Sequence, residues 1–260
     1  MEKVKTIDRL DTGDIYDLIF VTMQQKSLKD VLPVLADNKS SRIIFIGNNM
    51  YADQCSRQLK ATSSRKKEAA FGFQSTGGRR ENGRIISIYK EVAITLGGAD
   101  GDLDKEFTEE IEEAFKDTEC SLKREPMMDA WLKSHMAFIL PFCFLCYAMD
   151  GKLKRAGKED INLLIDACVE GYGLLKKAGY PIRPEGDDKV YAEQRKKTYW
   201  LFKLMIKTPI GKLAIADHAM NGVEEMKAMD EAFQKLRDEA PVSMESWDIL
   251  RKRAGKYIKN

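Results

Sequence analysis

The sequence predicts an α+β chain in two parts: a partial α/β layer lacking its first βαβ unit, followed by an all-α helical domain. Three observations predict it. From Val4 to about Gly98 the apolar residues come in short runs between turn signals, whereas from Phe107 onward they recur at helical intervals. The first part holds only two continuous apolar strands, too few for an open parallel sheet, and no strand–GxGxxG–helix that would seat a pyrophosphate. The parts are expected to divide into 1–122 and 123–260.

The elements follow in order. Asp17-Leu-Ile-Phe-Val-Thr-Met23 and Arg42-Ile-Ile-Phe-Ile-Gly47 are continuous rather than alternating, which is how strands buried on both faces read. Ser27 to Ala36 between them has helical spacing, so the three make a βαβ unit. Arg84-Ile-Ile-Ser-Ile-Tyr89 and Val92-Ala-Ile-Thr-Leu96 are expected to pair as a hairpin closing the layer. Gly77-Gly78 and Gly97-Gly98 read as turn glycines. The first strand, uncovered on one side, presents an apolar edge. Thr108 followed by Glu109 and Glu110 marks a helix start, with a capping residue and first-turn acids. Met136 to Met149 is too short to span a bilayer and contains Pro141, so it predicts a buried core helix. Helices are then expected at 158–178, stopped by Gly179 and Pro181, at 188–207, at 210–236 and at 243–258.

Composition narrows the function. Forty-three basic against 41 acidic residues leave a formal +2, which gives no case for nucleic acid or for an anionic membrane as partner. The basic runs Arg65-Lys66-Lys67 and Lys152-Leu-Lys-Arg155 read as solvated surface. Five cysteines, an odd number, argue against a disulfide-stapled secreted domain. Cys143 and Cys146 have redox or zinc spacing, but their apolar setting points to core packing. The run Met1 to Asp8 lacks the apolar centre of a signal peptide, so a cytoplasmic protein is expected.

Lys133 carries the most information. It is a lone cation opening one of the most apolar stretches, Asp129 to Pro141, and a lysine there either snorkels to water or belongs to a site. Asn48 ends a parallel strand, where open sheets bind ligands. Its amide can orient a ligand or bond its own turn backbone. His135 and His218 have no metal-ligand spacing and read as structural or surface residues.

The order of these pieces resembles the ketopantoate reductase (2-dehydropantoate 2-reductase) family. Asp17 to Met23 and Ile44-Phe-Ile-Gly-Asn-Asn-Met50 resemble two of its strands, and Gly77-Gly-Arg-Arg80 the segment before its hairpin. Trp131-Leu-Lys133 resembles the start of its helical domain, and Gly179-Tyr-Pro-Ile182 its Gly-hydrophobic-Pro stop. The resemblance implies an NADPH-dependent reductase of a small 2-keto acid, with a Rossmann domain, a helical domain, and the active site in the cleft between them. It starts mid-Rossmann, so about fifty family residues with the GxGxxG turn are expected before Met1. It implies Lys133 as general acid, Asn48 and Gln24 as cofactor-binding residues and Asp217 as a substrate-binding carboxylate. A homodimer is a further expectation.

The departures are as specific as the matches. Where the family places Asn residues four and eight positions after the lysine, this chain has Ala137 and Pro141. Ala216 stands where the family has a Glu, with Asp217 beside it, and Tyr199 to Met205 lacks the family's Ser. Gln24 replaces a phosphate-binding Lys, with Lys26 nearby. Two functions are therefore weighed: a reductase, and a non-catalytic binding or dimerisation module derived from one.

Overall fold

The computed structural model describes residues 4–74, 76–88, 91–209 and 211–258, with residues 77–80 and 88 described by their backbone. Met1, Tyr89 and Ile210, which enter expectations above, lie outside the described residues. Strand β1 (Ile19–Val21), helix α1 (Gln25–Asp37) and strand β2 (Arg42–Ile46) form the expected βαβ unit. Helix α2 (Ala52–Thr62) then leads to β3 (Glu68–Gln74), parallel to β2 with Ile43 opposite Ala69. Ile43, Ile44 and Phe45 are all buried because helices cover both faces of the sheet. Leu28, Leu32 and Leu59 from α1 and α2 pack on one face; on the other, α3 (Lys105–Phe115) brings Phe107 and Ile111 against Ile44 and Ala70.

The expected hairpin forms differently. Arg84–Ile88 (β5) pairs with Gly77–Glu81 (β4) in a separate two-stranded sheet, and Ala93–Gly97 (β6) instead joins β3 antiparallel. The reason is the turn between β4 and β5. Asn82 and Gly83 both take positive φ, 49° and 75°, as a two-residue type I′ connection requires, and this fixes Glu81 opposite Arg84. Strand β7 (Ser121–Arg124) completes the sheet in the order β1-β2-β3-β6-β7. The expected boundary at 122/123 thus falls inside a strand. β1 is an edge strand, and Ile15, Tyr16, Phe20 and Met23 around it are exposed. The cap of α3 is Asp104 rather than Thr108: its Oδ1 accepts the Phe107 N–H at 2.7 Å.

Beyond the sheet, α4 (Met128–Ala148) is the centre of the second domain. It is long and apolar enough to cross a membrane, but most of it is buried within the molecule. Helix α5 (Lys158–Lys177) crosses it at Gly171, where an added Cβ would lie 3.0 Å from Trp247 and 3.1 Å from the Ala137 Cβ. Three expected single helices are broken. Residues 187–207 divide into α6 (Asp187–Glu193) and α7 (Arg195–Lys207) at Gln194. A π-helical turn (Gly211–Ala216), α8 (Asp217–Asn221) and α9 (Val223–Glu239) replace the next, with Gly222 at the last join. The last expected helix becomes α10 (Glu245–Arg253) and α11 (Gly255–Ile258).

Candidate active site

The first two turns of α4 meet the sheet layer directly. Gly97, at the end of β6, permits this: a Cβ there would come within 1.9 Å of the Glu125 carbonyl oxygen, so only glycine lets the chain cross into α4. Glu125 is itself buried and fixed by Arg183, whose Nε and Nη2 donate to it at 2.9 to 3.1 Å. From this anchored start Asp129 and Lys133, one turn apart, point to the same side.

Lys133 does not snorkel. It is 5 % exposed, and its ammonium donates to Asp129 Oδ1 at 2.6 Å and lies 4.6 Å from the centre of the Tyr180 ring. Burial pulls its pKa below the ordinary lysine value, and Asp129 opposes that shift without cancelling it. Asp129 Oδ1 also accepts the Asp53 N–H at 3.2 Å, in the first turn of α2. One carboxylate oxygen therefore serves both the lysine and the N-terminus of a helix in the other domain. Tyr180 comes from the Gly179 to Ile182 stop after α5, so that segment places an aromatic face over the lysine as well as ending a helix.

These groups line a cleft of about 350 Å³ between the α2 turn, α4 and the C-terminal half of α9. Met50, Tyr51 and Leu236 give it apolar walls, Arg57 and Lys235 add two cations beside Lys133, and Asp53 and Glu239 add two carboxylates beside Asp129. Arg57 is held by Asp53 at 2.7 Å.

The other expected residues sit at different distances from this cleft. Asn48 is not on its wall but lies two residues before Met50, which is. Its Nδ2 donates to Glu225 Oε1 at 2.8 Å, while its buried Oδ1 has no hydrogen-bond partner. The self-bonding turn amide is instead Asn49, whose Oδ1 accepts the Tyr51 N–H at 2.8 Å. Gln24 is exposed at the start of α1, in the turn after β1, which neighbours the strand preceding Asn48. Its neighbour Gln25 ties the two turns together by accepting the Met50 N–H at 2.5 Å. Asp217 is not with Lys133: it lines a separate depression with Gly151 and Lys152, because it opens α8 beyond the π-helical turn. The carboxylates against the two candidate side chains are Asp129 and Glu225. Asp129 was missed, although its spacing of four before Lys133 was a signal that could have found it; Glu225, 177 residues from Asn48, had no local signal.

Ala137 and Pro141, at the positions of the family's Asn residues, are buried, and Ala137 abuts Gly171 at the crossing of α4 and α5. His135 packs in a three-ring cluster, tilted against Phe73 and stacked on Trp131, with ring centres 4.3 and 5.4 Å away. Burial, reinforced by His218, pushes its pKa down to about 4. Cys143 and Cys146 are buried in the helical core, and burial raises both thiols, that of Cys146 to about 12. Among the described residues no cluster of His, Cys, Asp or Glu could hold a metal ion.

No family model and no curated protein matches the sequence. Solved structures match the fold. The ketopantoate reductase of Staphylococcus aureus, described as dimeric with kinetic cooperativity, superposes with a TM-score of 0.65 at 12 % identity, over 96 % of this chain and 80 % of that one. A D-mandelate dehydrogenase solved with NADH and anilino(oxo)acetate gives 0.69 at 10 % identity, over 95 % and 77 %. The 2-dehydropantoate 2-reductase of Geobacter metallireducens gives 0.65 at 14 %, over 94 % and 78 %. With its helix-covered sheet running directly into a helical domain, the chain has the ketopantoate reductase fold.

Proposed function

We propose that this protein is an oxidoreductase that reduces a small 2-keto acid, with Lys133 supplying the proton. The observation that carries the reading is the Lys133 ammonium, buried, paired and opening on the cleft between the two domains. A lysine whose pKa is lowered by burial gives up a proton more readily near neutral pH, and Asp129 keeps it charged until it does. As the keto carbon gains a hydride, its oxygen takes the Lys133 proton and the product is a 2-hydroxy acid. Lys235, with Arg57 shared between Asp53 and the substrate, would hold the substrate carboxylate.

A nicotinamide nucleotide, NADP by resemblance, would supply the hydride when bound. One group beside the cleft has the chemistry for it: the unpartnered Asn48 Oδ1 would accept from a carboxamide N–H, with Gln24 and Lys26 nearby at the start of α1. Among the described residues there is no glycine-rich strand–turn–helix for the pyrophosphate. The D-mandelate dehydrogenase solved with NADH supports the cofactor class by fold likeness.

The test is loss of NADPH or NADH absorbance in the presence of a panel of 2-keto acids. Lys133→Met should lower kcat by about a hundredfold or more while cofactor affinity is unchanged. Full activity in that variant would remove Lys133 as the acid. The second reading, a non-catalytic module, is favoured by one observation, the apolar helix crossing that occupies the positions of the family's Asn residues. It predicts no binding of either nucleotide by calorimetry.

A further inference from the structure

Helix α7 carries a surface that the cleft chemistry does not use. Its inner side, Thr198, Phe202 and Ile206, is buried, and Phe202 packs on Phe142 with ring centres 4.8 Å apart. At 100° per residue, Trp200 and Leu204 fall opposite Phe202. They are 63 % and 61 % exposed, and Leu201 beside them is 46 % exposed. Lysines surround this apolar ridge. Lys196 and Lys197 precede it, Lys203 lies 4.5 Å over the Trp200 ring, and Lys207 follows. Lys207 donates to the Lys154 and Ala156 carbonyls, which brings the exposed Lys154 and Arg155 to the same side. The near-zero charge of the whole chain conceals this local excess.

We propose that α7 docks on an anionic phospholipid surface. A convex helix with Trp and Leu at its apex and lysines along its flanks has the form of an interfacial anchor: the apolar ridge enters the headgroup boundary while the ammonium groups remain among the phosphates. Tryptophan suits that boundary because its ring is apolar and its N–H is polar. Charge complementarity selects this occupant over a second copy, since two copies meeting through this face would oppose lysine with lysine.

The experiment is cosedimentation of the full chain with phosphatidylcholine vesicles, with and without phosphatidylserine, together with tryptophan emission. Phosphatidylserine should raise the bound fraction about tenfold and shift emission to shorter wavelength, and raised salt should reverse both. Trp200→Ser, and separately Lys196→Glu with Lys197→Glu, should each lower binding about fivefold or more while leaving the denaturant midpoint unchanged. Equal binding to both vesicle types, or wild-type binding by Trp200→Ser, would overturn the proposal. So would a dimer that shields Trp200 from acrylamide quenching before any vesicle is added.

Discussion

Burial and pairing pull Lys133 in opposite directions, and burial prevails. Asp129→Asn removes the opposing carboxylate while leaving an oxygen for the Asp53 N–H. The lysine should then lose its proton more easily, moving the alkaline limb of the pH–rate profile to lower pH; an unmoved limb would show that Asp129 does not support the charge. His135 gives a prediction with a defined window. Its folded pKa lies near 4 and its ordinary value is 6.5, so between them the unfolded chain binds a proton that the folded chain does not. Stability is therefore full above the upper value and falls as pH drops toward the lower one, which urea titrations across that range would measure. His135→Phe, keeping a ring against Phe73 and Trp131, should flatten the dependence. At this scale the sequence pointed to one residue of the cleft. Lys133 stood out because a cation in an apolar run demands an explanation; Asp129, one helical turn before it, was not singled out, and Asn48, Gln24 and Asp217 lie off the cleft wall. Glu225 was not legible, since nothing local marks a residue that meets its partner only after the whole chain has folded.

The crossing of α4 and α5 decides whether the family's polar contacts could be rebuilt. Ala137 meets Gly171 with no spare volume, so Ala137→Asn would force a larger side chain and an unpaired amide into a packed junction. The expected cost is about 2 to 4 kcal/mol of unfolding free energy by denaturant titration, with no gain of activity. Full stability would mean that the junction has room for the amide. The elements were legible where pattern and punctuation agreed: β1, α1, β2, α4 and α5 follow from apolar runs and clear stops. They were misread where a turn outweighed the apolar pattern. Asn82-Gly83 sends Arg84–Ile88 back to Gly77–Glu81, although the apolar runs suggested pairing with the strand that follows. Helical periodicity also passed unbroken through Gln194 and Gly222, because a change of axis need not interrupt the spacing of apolar residues.

At the scale of the molecule, the sheet ends on an apolar edge strand that no other strand pairs with among the described residues. Ile15, Tyr16, Phe20 and Met23 stand around β1, whose outer backbone groups form a template for another strand. Ile15→Lys should reduce concentration-dependent light scattering while changing stability by less than about 0.5 kcal/mol; undiminished scattering would place the aggregation surface elsewhere. That edge, and the division into sheet and helices, could be read from where apolar runs change texture. The position of the boundary could not, because β7 is short and mostly exposed. The bond from the Asp53 N–H to Asp129 is one of the links across this boundary, and it shares its acceptor with Lys133. Exchange of that single amide proton with deuterated solvent would therefore time the parting of the two domains, and a substrate that draws the lysine away from Asp129 would alter the clock.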